Sequence, residues 1–474
     1  AGTVGVQQTG AFWAGDQSSS FSGFKDAVSA GLSAGVSGIP FWGWDLAGFT
    51  GEFPSAELYK RSTMMSAFAP IMQFHSEKSN PSPSEERSPW NVQARTGDNT
   101  VVPHFSYYVN TRMNILPYIY SEAMQCSNDG TPLMRAMFID FPEDSNVYSL
   151  DEQYMFGREL LVAPVLNEGQ TVKMVYLPEG EWIDLFHNAM TAGGGSKEYY
   201  CDVDSIPVYV KNGSIIPMNL NSNYELGGTI GNDIDNYTNL TFRIYPSGNS
   251  SYTLHHNDNS TMTVSYTESF ATGTVSVSLP SSAIPITTQV FGTRPSEVSV
   301  NGNALTEVNS VSALAQASDA YYYSPNEKLT YIKTSASANS REIVLQGIHQ
   351  APYEAEHANL TNVSTNTDHT GYLGDAFVDG FAEIGDSVEF IVYADQAGAA
   401  TLDIRYSAGT EAGQRTLTVN GSSTTNVILP KTANWDTWDT ASVLVSLSKG
   451  RNTIRLSYDA GNYAGINLDC ISLR

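Results

Sequence analysis

Across 474 residues the chain carries a formal net charge of −25, yet only 15% of its residues are charged, so the acidity is spread over a surface rich in Gly, Ser, Thr, Asn and Tyr. A surface of that sign repels nucleic acid and anionic membranes. The length implies about three or four domains at roughly 150 residues each, no apolar run approaches the roughly 20 residues of a membrane helix, and Cys126, Cys201 and Cys470 are too scattered for a disulfide framework or a zinc site.

Residues 1–125 alternate strands and helices. An apolar run, Gly10-Ala11-Phe12-Trp13-Ala14-Gly15, stops on Asp16. The serines at 18–20 are good helix caps, and Phe21, Phe24, Val28 and Leu32 follow at helical spacing. A second apolar run, Gly38-Ile39-Pro40-Phe41-Trp42-Gly43-Trp44, stops on Asp45, and a third, Ile71-Met72-Gln73-Phe74, stops on His75. Between them lies a helix through Ala56, Tyr59, Met64 and Phe68. Polar residues 76–99 read as a long loop or lid. Residues 103–124 predict a long helix kinked at Pro117, and 133–141 predict one more strand. This pattern argues for part of a (β/α)8 barrel, in which chemistry sits at the carboxyl ends of the strands. Only about half of such a barrel fits here.

From Gly157 onward the helical period is lost. Short strands such as Leu160-Leu161-Val162 and Ser214-Ile215-Ile216-Pro217 alternate with Gly, Asn and Pro turns, the pattern of a β-sandwich. A second all-β block starts near Leu240, and a third runs from Tyr353 to Arg474. The expected division is therefore a multidomain α/β plus all-β chain: residues 1–150 as the C-terminal part of the barrel, 151–221 and 222–348 as two β-sandwich domains, and 349–474 as a terminal β-sandwich of jelly-roll type.

A carboxylic acid beside Phe12 and Trp13 is expected to sit in a partly apolar wall, which raises its pKa and lets it donate a proton near neutrality. Glycosidic cleavage needs such an acid and a second carboxylate across the sugar. Asp16 serves equally well as a cap for the next helix. Asp45 could be the second carboxylate or a hydrogen-bond acceptor for sugar hydroxyls, with Phe41, Trp42 and Trp44 as stacking faces. His75 could donate to a hydroxyl or satisfy a structural bond.

Four ordered stretches resemble glycoside hydrolase family 31: Phe12-Trp13-Ala14-Gly15-Asp16, Phe41-Trp42-Gly43-Trp44-Asp45-Leu46-Ala47-Gly48-Phe49, Ala67-Phe68-Ala69-Pro70-Ile71-Met72-Gln73-Phe74-His75 and Leu116-Pro117-Tyr118-Ile119-Tyr120. The resemblance continues through Met134-Arg135-Ala136-Met137-Phe138 and Gly213-Ser214-Ile215-Ile216-Pro217, covering about residues 1–345. It implies a retaining α-glycosidase or α-transglycosylase, with a barrel followed by proximal and distal β-domains. By that resemblance Asp16 is the general acid/base and Asp45 and His75 hold sugar hydroxyls; Trp13 and Trp42 are expected to line the substrate as neighbouring rings. The family's nucleophilic aspartate lies upstream of the acid/base motif. The chain is therefore expected to be the C-terminal part of a longer enzyme, whose N-terminal part is its partner.

Residues 353–474 are similar to carbohydrate-binding module family 35, through Tyr353-Glu354-Ala355-Glu356, Gly371-Tyr372-Leu373-Gly374, Trp435-Asp436-Thr437-Trp438 and Gly465-Ile466-Asn467-Leu468-Asp469. Glu354 and Glu356, two apart on a strand, share a face and with Asp469 offer hard oxygen ligands to calcium. Tyr372, Trp435 and Asn467 are expected on loops as the sugar site, and Trp438 in the core.

The expected activity is hydrolysis or transfer on α-glucan oligosaccharides, of α-glucosidase or α-glucosyltransferase type, with no catalytic cofactor and an extracellular setting. α-Galactoside or α-N-acetylgalactosaminide hydrolysis is the alternative within the family. A non-catalytic carbohydrate-binding protein is the alternative outside it.

Overall fold

The computed structural model describes residues 10–76, 86–232, 236–269, 272–394 and 396–474. Three short parallel strands open the described chain: β1 (Phe12–Trp13), β2 (Trp42–Asp45) and β3 (Ile71–Gln73), hydrogen-bonded in that order. Helix α1 (Phe21–Val36) links β1 to β2, and α2 (Ala56–Ala67) links β2 to β3. Both start on serine caps: the Ser20 side chain accepts from the Gly23 amide, and Ser55 from that of Leu58. The expected half-barrel alternation is present, but the sheet does not close on itself.

Close packing sets the geometry of this sheet. A Cβ on Gly31 would lie 2.9 Å from the Trp42 ring, and one on Gly43 would lie 2.7 Å from Ile71 Cβ. Phe24 stacks on Trp44 with ring centroids 5.1 Å apart. These contacts press α1 onto one face of β2, so Trp42 and Trp44 belong to the core.

The polar stretch after β3 contains a helix that composition did not suggest, α3 (Pro89–Thr96), capped by Ser88 with proline in its first turn. The long helix expected next is broken at Ile115 into α4 (Val101–Asn114) and α5 (Leu116–Asp129), where Pro117 occupies the start of the second segment. The buried guanidinium of Arg112 donates to the carbonyls of Ala67, Ala69 and Pro70 at 3.1, 2.6 and 2.9 Å. It thereby satisfies the end of α2 and fixes the turn that launches β3.

Residues 133–141 do not form one barrel strand. Met134–Ala136 is a three-residue strand, β4, paired antiparallel with Tyr154–Phe156, and a helical turn, Met137–Asp140, follows it. This strand begins a six-stranded sheet that ends near Lys211. The switch from parallel to antiparallel pairing therefore falls before residue 140.

The rest of the described chain is almost wholly β. Two sheets, of five and six strands, lie between Ile215 and Gln346, and two more occupy residues 353–473. Alternation along Thr274–Leu279 buries Val275, Val277 and Leu279, as a half-buried strand requires. Among the described residues no helix is long and apolar enough to cross a membrane, and the three cysteines are buried and unpaired.

Candidate active site

The carboxyl ends of the three parallel strands converge on one carboxylate. Asp45, last residue of β2, is fully buried. Its Oδ2 accepts from Trp13 Nε1 at 2.7 Å, and its Oδ1 accepts from Gln73 Nε2 at 2.9 Å. His75 Nδ1 stands 3.9 Å from Oδ1. Burial raises the Asp45 pKa, the bonds from Trp13 and Gln73 and the charge of His75 act against that rise, and Asp16 nearby adds to it. Each of the three strands thus supplies one contact to the site.

The flanking rings form an open wall. Phe49 meets Trp13 edge-on at 5.9 Å and leans on His75 at 5.1 Å. Trp13 is 49% exposed, and the His75 side chain is 65% exposed. The loop after β2 turns sharply: Ala47 has φ 62° and Gly48 φ 92°, and a Cβ on Gly48 would lie 2.7 Å from the Ser18 carbonyl oxygen. Buried Arg87 holds that loop by donating to the carbonyls of Gly48 and Gly51 at 2.9 and 2.8 Å. Its own amide is held by Ser76 Oγ, one residue beyond His75.

Asp16 is exposed rather than set into an apolar wall. The cap of α1 is Ser20, so Asp16 is not spent on that duty. Trp42, expected to line the substrate, faces α1 and is buried instead. Its position three residues before Asp45 puts it on the opposite face of the strand. Gln73 and Arg87 had not been singled out from sequence. Gln73 lies two residues before His75 on the same strand face, and that parity was the available signal.

In the terminal module, Glu354 is in a strand but Glu356 is not. It lies on the 3-10 turn Ala355–His357, yet the two carboxylates still meet beside Gly374, where a Cβ would lie 2.5 Å from Glu356 Oε1 and 3.3 Å from Glu354 Cδ. Glu354 Oε2 and Glu356 Oε2 are buried without hydrogen-bond partners. Burial, and then the charge of Glu354, push Glu356 up to about 8. Lys328 Nζ stands 2.7 Å from Glu354 Oε1 and the Asp375 and Ala376 amides donate to Glu356 Oε1, so each carboxylate keeps one unpartnered oxygen. Two such oxygens crowded beside a glycine fit a hard divalent cation. Asp469 does not join them. Its Oδ2 accepts from the Arg405 guanidinium and its Oδ1 from the Leu373 amide at 3.0 Å. Among the described residues no group of three acidic, His or Cys side chains forms a metal cluster.

The expected sugar loops of the module are brought together only in part. Tyr372 and Trp435 both lie over a common aromatic floor: His369 stacks on Trp435 at 6.2 Å, and Phe377 contacts His369, Tyr372 and Trp438. Asn467 is not a loop group. It is buried as the first residue of the strand Asn467–Leu473. Trp438 is half-buried, with Arg405 over its ring at 5.3 Å.

Acid residues at the exits of parallel strands, followed by β-sheet domains and a ring-lined module, define a modular carbohydrate-active protein. Residues 1–122 match the glycosyl hydrolases family 31 TIM-barrel domain, residues 130–216 the glycosyl hydrolase family 31 C-terminal domain, and residues 351–474 the carbohydrate binding module of family 35. The chain thus carries matches to the barrel and C-terminal domains of glycoside hydrolase family 31 and to a family 35 module. It is 50% identical to an isomaltosyltransferase of Sporosarcina globispora over 100% of its length and 44% of that protein's. A cycloalternan-forming enzyme from Listeria monocytogenes, solved with a pentasaccharide substrate, superposes with a TM-score of 0.97 at 50% identity, over 100% of this chain and 45% of that one. A second L. monocytogenes structure, holding α-D-glucose, β-D-glucose, magnesium and calcium, gives the same TM-score, identity and shares. The chain spans less than half the length of these relatives.

Proposed function

We propose that the protein carrying this chain is a retaining α-glucan transglycosylase that moves isomaltosyl units between oligosaccharides, and that this chain supplies its acid/base and part of its donor site. The observation that carries this reading is the Asp45 cluster. A buried carboxylate with two of its roughly four acceptor positions fixed by Trp13 and Gln73 has two left to grip vicinal hydroxyls. The similarity to a named isomaltosyltransferase supports an isomaltosyl donor.

In this reading exposed Asp16 protonates the glycosidic oxygen as the bond to the leaving sugar breaks. The anomeric carbon bonds to a carboxylate that lies outside the part of the family matched by this chain. Asp16, now ionised, then takes the proton of an acceptor hydroxyl as that oxygen displaces the carboxylate. Asp45 and His75 orient the sugar, and Trp13 with Phe49 covers its apolar face. The first three strands belong to a (β/α)8 barrel completed by that same missing part. The paired sheets that follow are β-sandwiches, the last a jelly-roll that binds α-glucan over Tyr372 and Trp435. Calcium would be held there by Glu354 and Glu356, on the one oxygen of each that lacks a hydrogen-bond or ion-pair partner.

The test is incubation of the purified full-length protein with an isomaltosyl-capped maltooligosaccharide, with products separated by size. Products longer than the donor support transfer, glucose or isomaltose alone replaces it by hydrolysis, and Asp16→Asn should abolish either. Unchanged turnover in Asp16→Asn would remove Asp16 from the mechanism.

A further inference from the structure

A cavity of about 440 Å3 lies away from the Asp45 cluster, between α4 and the β-sheet domain that follows the barrel segment. Its volume falls within the roughly 300–1,000 Å3 typical of small-molecule sites. One wall is aromatic, formed by Tyr107, which is 40% exposed, and by Phe186. The polar part of the lining carries His187, Tyr199, Asp204 and Ser205.

The polar wall is built rather than incidental. His187 Nδ1 is held 3.1 Å from Asp184 Oδ1, which leaves Nε2 for a ligand. Asp204 Oδ1 is engaged by His104 Nδ1 at 3.0 Å and by Lys60 Nζ at 3.4 Å, so Oδ2 remains to accept. Ser205 Oγ accepts from the Asp202 amide at 3.0 Å and keeps its proton to donate. The Tyr199 hydroxyl has no hydrogen-bond partner among the described residues.

The charges select the ligand class. Asp204 lines the cavity and Asp184 stands behind His187, and these carboxylates disfavour phosphates and other anions. An organic cation would have to compete with Lys60, whose ammonium already stands 3.4 Å from Asp204 Oδ1. What fits is a neutral molecule with one apolar face and several hydroxyls along its edge, about as large as one or two pyranose rings. We propose that this cavity is a second carbohydrate site, taking a glucosyl unit with its C–H face on Tyr107 and its hydroxyls on His187, Tyr199 and Asp204. The site would anchor a glucan on the seam between the barrel segment and the next domain. The proposal rests on the α-glucan reading above.

The test joins crystal soaks with isomaltotriose and maltotriose to affinity electrophoresis in gels containing dextran. The electrophoresis is run in a Trp435→Ala background, so that the module does not mask the cavity. Sugar density against Tyr107 is expected. Tyr199→Phe with Asp204→Asn, both close in shape to the parent residues, should weaken retention about tenfold and leave kcat on an aryl glucoside unchanged. Sugar at the Asp45 cluster but none in the cavity would overturn this proposal alone, as would density without any change in retention, which means binding at crystal concentration only. Sugar at neither place would overturn the α-glucan reading with it.

Discussion

Replacing Asp45 with asparagine separates a role in gripping sugar from a role in holding the fold. The side chain keeps its shape, and its Oδ1 still accepts from Trp13 Nε1. The Gln73 amide can turn to offer its oxygen to the new Nδ2, so both existing bonds survive. What is lost is the charge on the two acceptor positions that the proposed function assigns to sugar hydroxyls. A bond to a charged group is worth about 1.5–3 kcal/mol and a neutral one about 0.5–1.5 kcal/mol. Two weakened hydroxyl contacts therefore cost about 2–3 kcal/mol of transition-state binding, or roughly 30- to 150-fold in kcat/KM. Stability should move the other way or not at all. Burial raises the Asp45 pKa, so the folded state disfavours its ionised form; the stability it contributes is present at acidic pH and is lost as pH rises through its folded-state value. Asparagine carries no such charge penalty at neutral pH. The measurements are kcat/KM on an isomaltosyl donor and the melting temperature of the same sample at pH 7. A fall of melting temperature in step with activity would make Asp45 a structural residue, and full activity would remove it from the site.

Trp42→Ala should do the reverse of Asp45→Asn: a buried indole packed on Gly31 is worth about 3–5 kcal/mol, so urea unfolding shifts while KM for a small donor does not. Trp435→Ala or Tyr372→Ala should weaken retention on an α-glucan column without altering turnover of small substrates, and equal retention would assign those rings to packing. Chelation should lower the melting temperature of the module, because a cation that binds only the folded state stabilises it by mass action; Lys328, whose Nζ lies 2.7 Å from Glu354 Oε1, partly replaces that cation, so Lys328→Met should destabilise by about 3–5 kcal/mol without calcium and by less with it. A hydrogen bond that His187 donates to the Asp184 carboxylate raises the His187 pKa, and the stability it contributes below 6.5 is lost as pH rises through the folded-state value. His187→Gln should flatten that part of a melting-temperature profile, and an unchanged profile would refute the pairing.

The order of strands and helices around Asp16, Asp45 and His75 was legible because each apolar run ends on a polar residue and the serines at 18–20 announce the first helix. The faces were less legible, since Trp42 and Trp44 sit in the same run as Asp45 and look equally available to substrate. Only the two-residue alternation of the strand, with Gly31 opposite, sends the rings inward. Arg87 could not be read from sequence, because its partners are backbone carbonyls 36–39 residues away and carbonyls carry no sequence signature. Asp469 failed for a related reason. A carboxylate aimed at a cation accepts an arginine equally well, and Arg405 reaches it from a neighbouring strand. The strand ending at Ala136 left the expected barrel because hydrogen bonding to Tyr154–Phe156 was a long-range choice between two sheets.

The junction between the module and the rest bears on how the two sites cooperate. Glu181 of the six-stranded sheet accepts from Tyr353 at 2.7 Å, from the Gln350 side chain, and from Asn212 at 2.8 Å through its other oxygen. Lys197 donates to the His357 carbonyl at 2.9 Å, Arg451 reaches the Gly193 carbonyl at 3.2 Å, and Lys328 pairs with Glu354. These contacts tie the module to two different neighbours, and most are partly or fully buried. A module on a flexible linker raises local substrate concentration by an amount set by linker statistics. Here the linker contributes little freedom, so the distance from the Tyr372 and Trp435 loops to Asp45 is a property of the fold. A glucan too short to span that distance receives no help from the module, and one long enough receives it without the entropy of a loose tether. Under the proposed function, this geometry would make the module discriminate by chain length as well as by retention.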